Sequence, residues 1–315
     1  MTQTAMHTWM ARPATILVAS DLSDLDRLMP HAFDQAKATG ARLILLHALP
    51  AIASVTADAA GMPYYDTASA LELADKMLQP WCDEARRRGI RCDALVREGN
   101  ATQQIAVALR QFRADRVLVG TRSRSKLGKL FLGSVAEQVL RSVNLPVMTV
   151  GPEAHLAAAN GVERAVLLAT TLRETSRPSA ALACQIAASQ NARLVLLHVL
   201  PPVDEMRRKG LPTGLDSAAM QELRQLAAET GAGCGTEVEP VVAHGNPAVE
   251  ILAEAALLRA GLIVLGATQR SAFENLTRDR TVYRVLAHAR CPVLTLREPQ
   301  AVPVEQHMEA LAMHR

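Results

Sequence analysis

Two stretches of this chain are near copies of each other: Ala41-Arg-Leu-Ile-Leu-Leu-His-Ala-Leu-Pro50 returns as Ala192-Arg-Leu-Val-Leu-Leu-His-Val-Leu-Pro201. Two more pairs follow in the same order. Glu98-Gly-Asn-Ala-Thr-Gln-Gln-Ile105 is echoed by His244-Gly-Asn-Pro-Ala-Val-Glu-Ile251, and Leu145-Pro-Val-Met-Thr-Val150 by Cys291-Pro-Val-Leu-Thr-Leu296, each 146 positions on. Ordered matches at a near-constant offset mean an internal duplication, and a period this long means duplicated domains, not a solenoid. The 315 residues therefore divide into two domains of ordinary size.

Within the first copy, short β-branched and leucine runs alternate with alanine-rich stretches of helical period. Strands are expected at 14–20, 42–48, 91–97, 115–120 and 146–150, and helices near 27–39, 68–88, 101–113 and 134–142. The second copy gives strands near 164–169, 193–199, 235–242, 261–266 and 292–296. Strict alternation of strand and helix predicts a doubly wound α/β domain, a five-stranded parallel sheet covered on both faces with right-handed crossovers. Aromatic residues are only 3% of the chain, so the core must be aliphatic, as buried parallel sheets are. The expected layout is domain 1 at 1–150, a linker at 151–163, domain 2 at 164–297 and a tail at 298–315. Pro30 and Pro178 fall early in the first helix of each copy, where a missing amide is tolerated. Pro80 falls inside the second helix and is expected to kink it.

Lys and Arg number 34 against 31 Asp and Glu, a net charge of +3 that gives no reason to invoke nucleic acid or an anionic membrane. The cysteines, Cys82, Cys92, Cys184, Cys234 and Cys291, form no CxxC pair and no metal-spaced cluster, which reads as unpaired thiols in a reducing compartment. No signal peptide and no run long enough to span a bilayer is apparent, so a soluble, cytoplasmic protein is expected. No GxSxG elbow, HExxH motif or complete P-loop occurs. Gly231, Gly233 and Gly235 lie between a helix and the next strand, the wrong order for a dinucleotide turn. His47 and His198 hold equivalent places, which favours packed histidines serving the fold. The Ala51–Thr67 segment, with Tyr64 and Tyr65, is a long surface loop beside the expected site.

In an open parallel sheet, ligands bind beyond the carboxyl ends of the strands, where strand order reverses. The first strand ends in Ser20-Asp21-Leu22-Ser23. The fourth opens a loop rich in Gly, Ser, Arg and Lys that runs from Gly120 to Gly133-Ser134 and feeds a helix. Free amides at a helix N-terminus attract an anion; Gly133 admits close approach, Ser134 can donate its hydroxyl or cap the helix, and Arg122 and Arg124 add charge. An ordinary basic surface loop with an N-cap serine explains the same residues equally well.

The spacing Gly120-x-x-Ser123, nine residues, then Gly133-Ser134, with Asp21 at the first strand and Leu-Leu-His-Ala at the second, resembles the universal stress proteins. The resemblance covers both copies and implies a Rossmann-like domain, similar to adenine nucleotide alpha-hydrolases, that binds ATP or another adenine nucleotide with or without Mg. It implies that Asp21 contacts the adenosine part, that the Ala48 backbone meets the adenine edge, and that Gly120, Ser123, Gly133 and Ser134 surround ribose and phosphates. Val119 and Val135 adjoin them, and Arg122 supplies charge. Ser123 stands where the family pattern has glycine, which weakens binding without abolishing it. In the second copy, Gln269, Asp279-Arg280 and Thr171 replace the matching residues, and a carboxylate at a phosphate mouth repels its ligand; that half is expected not to bind ATP. The resemblance further implies that Pro146–Val150 and Pro292–Leu296 pair within the chain, with a homodimer as a further level of assembly. Three functions stay open at this point: a nucleotide-responsive regulator in stress response, a slow ATPase, and a nucleotide-free interaction module.

Overall fold

A computed structural model describes residues 11–50, 67–121, 132–155, 165–173, 176–209, 214–268 and 280–298. The first half contains β1 (Thr15–Ala19), α1 (Leu25–Thr39), β2 (Arg42–Leu49), α2 (Thr67–Arg87), β3 (Cys92–Glu98), α3 (Ala101–Phe112), β4 (Arg116–Gly120), α4 (Ser134–Ser142) and β5 (Val147–Val150). The second half contains β6 (Ala165–Ala169), α5 (Arg177–Ser189), β7 (Arg193–Leu200), the short α6 (Val203–Arg208), α7 (Leu215–Cys234), β8 (Val238–His244), α8 (Pro247–Leu257), β9 (Leu262–Thr268), α9 (Arg280–His288) and β10 (Val293–Glu298). The 51–66 segment, most of the 151–163 linker and the 299–315 tail lie outside the described residues.

The two expected sheets are joined into one of ten strands, ordered β3-β2-β1-β4-β5-β10-β9-β6-β7-β8. All neighbours are parallel except β5 and β10, which run antiparallel with Met148 opposite Leu294. This is the pairing of last strands that the sequence resemblance implied. Around that central pair the chain is nearly self-symmetric. Thr149 Oγ1 donates to Val293 O at 3.2 Å, and its counterpart Thr295 Oγ1 donates to Val147 O at 3.1 Å. Both threonines are buried, so each hydroxyl has its partner where water cannot supply one.

Alternation along the strands feeds two cores, one on each face, and both run through the two halves. Ile16 and Val18 face the layer made by α1, α2, α5 and α7, while Leu17 faces α3, α4, α8 and α9. Strands buried on both faces must be apolar without interruption, which is why they read as solid Leu, Ile and Val runs. The repeated Gly-Asn pairs have a backbone reason. Gly99 (φ 125°) and Gly245 (φ 149°) take a conformation that L side chains avoid, and the next residue caps a helix. Asn100 accepts from Gln103 N, and Asn246 from Ala248 N and Val249 N.

Several local expectations are corrected. Helix α1 begins at Leu25, so Pro30 sits inside it and not in its first turn, whereas Pro178 does lie at the start of α5. Helix α2 spans Thr67–Arg87 with Pro80 in its interior, as the sequence placed it. Gly231 and Gly233 belong to α7, and Gly235 is its left-handed C-cap. The cysteines are not all isolated: Cys184 of α5 and Cys234 of α7 are brought together with Cα atoms 6.3 Å apart, a spacing a disulfide can bridge. Cys82 and Cys92 remain thiols with their sulfurs 2.9 Å apart.

At the edge of the central seam, buried His31 of α1 hydrogen-bonds the Ala154 backbone, and burial pushes its pKa down to about 4; Asp34, His155 and Arg27 are the ionisable groups facing it. Two tests follow from this geometry. Thr149→Val and Thr295→Val each lower unfolding free energy by about 1 kcal/mol in urea titrations. Because the folded pKa of His31 lies below its unfolded 6.5, the unfolded chain binds the proton first. Stability is therefore full above about pH 6.5 and declines as pH falls toward about 4. In His31→Gln protein, melting points measured across that window lose this part of the slope.

Candidate functional site

Between β1 and β4 the chain reverses its direction of travel across the sheet, since β1 leads outward to β2 and β4 inward to β5. Strand ends splay apart at such a point, and a crevice opens above them. Here it is a cavity of about 240 Å³. The ends of β1, β2 and β4 supply its floor through Ala19, Ser20 and Asp21, Leu46 and Ala48, and Val119 and Gly120. Ala101 and Ile105 of α3 form one wall, and Gly133, Ser134, Val135 and Ala136 another.

The β2 wall presents free backbone. Leu46 O accepts from Ser20 N at 3.0 Å, the last bond before β1 ends. Backbone polar groups repeat their direction every second residue, so the N–H and C=O of Ala48 point the same way, into the space that β1 has vacated. His47, one residue off this phase, turns its ring to Ser20 O at 2.9 Å, and His198 does the same to Thr170 O. A carbonyl only accepts, so Nδ1 carries the proton in both rings. These histidines serve the fold, as their equivalence suggested.

Asp21 is exposed at the cavity mouth. Its Oδ1 accepts from Ser23 N and Ser23 Oγ at 2.9 and 2.6 Å, which leaves Oδ2 without a partner among the described residues. Asp24, a residue the sequence reading passed over, is buried deeper. It occupies the N-cap position of α1 but makes no cap bond; its carboxylate instead accepts from Ser20 Oγ at 2.5 Å. Burial raises its pKa, with the Ser20 hydrogen bond opposing. The carboxylate lies against Gly120 so closely that any Cβ there would collide with it, and the guanidinium of Arg27 approaches the same spot. Gly120 is thus explained by packing and not by φ, since a side chain there would force the Asp24 carboxylate to move. Arg27 Nε and Nη2 are buried without a hydrogen-bond partner among the described residues.

The last wall is the start of α4. Gly133, with extended φ and ψ of −61° and 145°, is the N-cap and offers no side chain, so Ser134 is the first helical residue and not the cap. Glu137 N is the first amide to close a helical bond, to Gly133 O. The amides of Ser134, Val135 and Ala136 consequently have no intrahelical acceptor at the positive end of the helix dipole. Gly133 N donates to Thr121 O at 3.1 Å, which ties the turn to the end of β4.

Of the nine residues nominated from sequence, the fold brings seven to this one cavity: Asp21, Ala48, Val119, Gly120, Gly133, Ser134 and Val135. Arg122 and Ser123 lie outside the described residues, as do Arg124, Lys126 and Lys129. In the second half, Thr171 is exposed at the end of β6 opposite Asp21, while Gln269, Asp279 and the side chain of Arg280 are outside the described residues. Asp24 had a usable signal, a carboxylate three residues after Asp21 at the start of a helix. Only the fold reveals that it points away from its helix.

The universal stress protein family model matches residues 14–151 and again 163–297. A universal stress protein of Thermus aquaticus is 34% identical over 140 residues, which is 43% of this chain and 97% of that protein. A universal stress protein of Mycolicibacterium smegmatis is 27% identical over 303 residues, covering 90% of this chain and 96% of its own. Among solved structures, a universal stress protein from Archaeoglobus fulgidus superposes with a TM-score of 0.70 at 22% identity, over 90% of this chain and 96% of that one. Among the described residues, no helix is long and apolar enough to cross a membrane. With two matched segments in sequence order and one sheet running through both, the chain belongs to the universal stress protein family as a tandem of two such domains.

Proposed function

We propose that the first half binds an adenine nucleotide, ATP being the leading candidate, and that occupancy is the input by which this tandem protein regulates its partners in a stress response. One observation carries the reading: the uncapped amides of Ser134, Val135 and Ala136 border the same cavity as Asp21 and the free backbone of Ala48. The amides suit a phosphate, the carboxylate suits a ribose hydroxyl, and the strand edge suits the donor and acceptor pattern of a purine. Arg122 and Ser123 belong to the proposed site through their place in the loop. Asp21 and Asp24 are too few ligands for a cation cage built from protein alone, so Mg would take its remaining ligands from phosphate oxygens and water. The second half stays outside the nucleotide proposal, because Thr171 replaces Asp21 and Asp279 adds negative charge. The cytoplasm, where ATP is abundant, is the proposed compartment, and the Cys184–Cys234 pair would rest there as thiols.

A slow ATPase is a second reading, favoured by Asp24, a buried carboxylate of raised pKa on the cavity wall. A nucleotide-free interaction module and a homodimer rest on no comparable feature.

Purified protein denatured and analysed by mass releases adenine nucleotide at about one per chain. In calorimetry, Asp21→Ala weakens ATP binding about tenfold, as expected for one hydrogen bond to a charged group, and Gly133→Val abolishes it. An empty protein that ignores added ATP would overturn the proposal. Asp24→Asn decides the second reading: if phosphate release persists at the wild-type rate, Asp24 is not a base.

A further inference from the structure

The two halves meet at more than the central strands, and one contact reaches the anion-binding turn itself. Leu132 N, directly before Gly133-Ser134, donates to the phenol oxygen of Tyr283 at 3.2 Å. Tyr283 belongs to α9, in the half whose own signature is degraded. Its ring packs against the same apolar layer that buries Leu132, Val282, Val285 and Leu286. We infer that Tyr283 is a positioning residue for the nucleotide turn of the opposite domain, so that the second half, though itself without the signature, helps set the first half's affinity. The inference deepens the nucleotide reading of the cavity and rests on it for its effect on affinity.

The geometry supplies the reason. Two successive amides fix the approach to α4: Leu132 N on Tyr283 and Gly133 N on Thr121 O. With both anchored, the next three amides keep a constant aim at the cavity, and a ligand need not order them on binding. The duplicated position in the first half is Glu137, which pairs with Arg141 of its own helix at 2.7 Å. The tyrosine at 283 has no counterpart residue at 137.

The test compares Tyr283→Phe with wild type in the full chain. Without nucleotide, hydrogen exchange in the peptide spanning residues 132–136 rises about fivefold in the variant, while the melting point and exchange in β4 stay the same; one lost neutral hydrogen bond gives a factor of this size. ATP affinity measured by calorimetry falls by a similar factor. Arg297→Gln is the control for general loosening. Arg297 crosses the same seam to Asn144 Oδ1 and Leu140 O, at the far end of α4, and its loss leaves exchange at Leu132 unchanged. Unchanged exchange at Leu132 in Tyr283→Phe overturns the inference, as does raised exchange with wild-type ATP affinity. If wild-type protein binds no ATP, the nucleotide reading falls by itself, and the exchange measured without ligand still decides whether Tyr283 holds the turn.

Discussion

Three residue pairs, Val293 with Thr149, Leu294 with Met148 and Thr295 with Val147, are the constraint on which the rest of the molecule depends. A five-stranded parallel sheet ends in two open edges, each a row of unpaired amides and carbonyls. Joining β5 to β10 closes one edge of each half at once. It also merges the apolar layers on either face, so the protein folds around two continuous cores where two separate domains would need four. The threonine hydroxyls complete the seam by meeting a carbonyl on the opposite strand, a contact that a purely apolar strand would lack.

The cavity follows from the same topology. A sheet that winds outward from β1 and inward from β4 must leave its strand ends diverging, and the crevice is filled with backbone groups that no neighbouring strand can reach. What distinguishes this crevice is the nesting of charge: an exposed carboxylate at the mouth, a buried one against Gly120, and a guanidinium behind it. Glycine at 120 is what leaves room for the buried carboxylate.

Much of this was legible in the sequence because duplication and period are properties of the chain itself. Strand runs, the repeated Gly-Asn pairs and the glycines around the start of α4 report local backbone needs, and the family resemblance added the remaining residues, seven of which line one cavity. Other features depend on what the fold brings together across distance. Pro30 looked like a first-turn proline because nothing in the sequence marks Leu25 as helical. Asp24 went unread because only the fold brings its carboxylate against Ser20 and Gly120. The contact between Tyr283 and Leu132 spans 151 positions, and the Cys184–Cys234 contact spans 50; neither leaves a periodic trace.

The near-symmetry around Met148 and Leu294 also bears on how such a chain can change over time. In an assembly of two identical subunits, every substitution appears twice, and a residue that improves one side of the interface is imposed on the other. Fusing the copies lifts that restriction. Position 137 can keep a glutamate that pairs within its own helix while position 283 carries a tyrosine that reaches across the seam to Leu132 N.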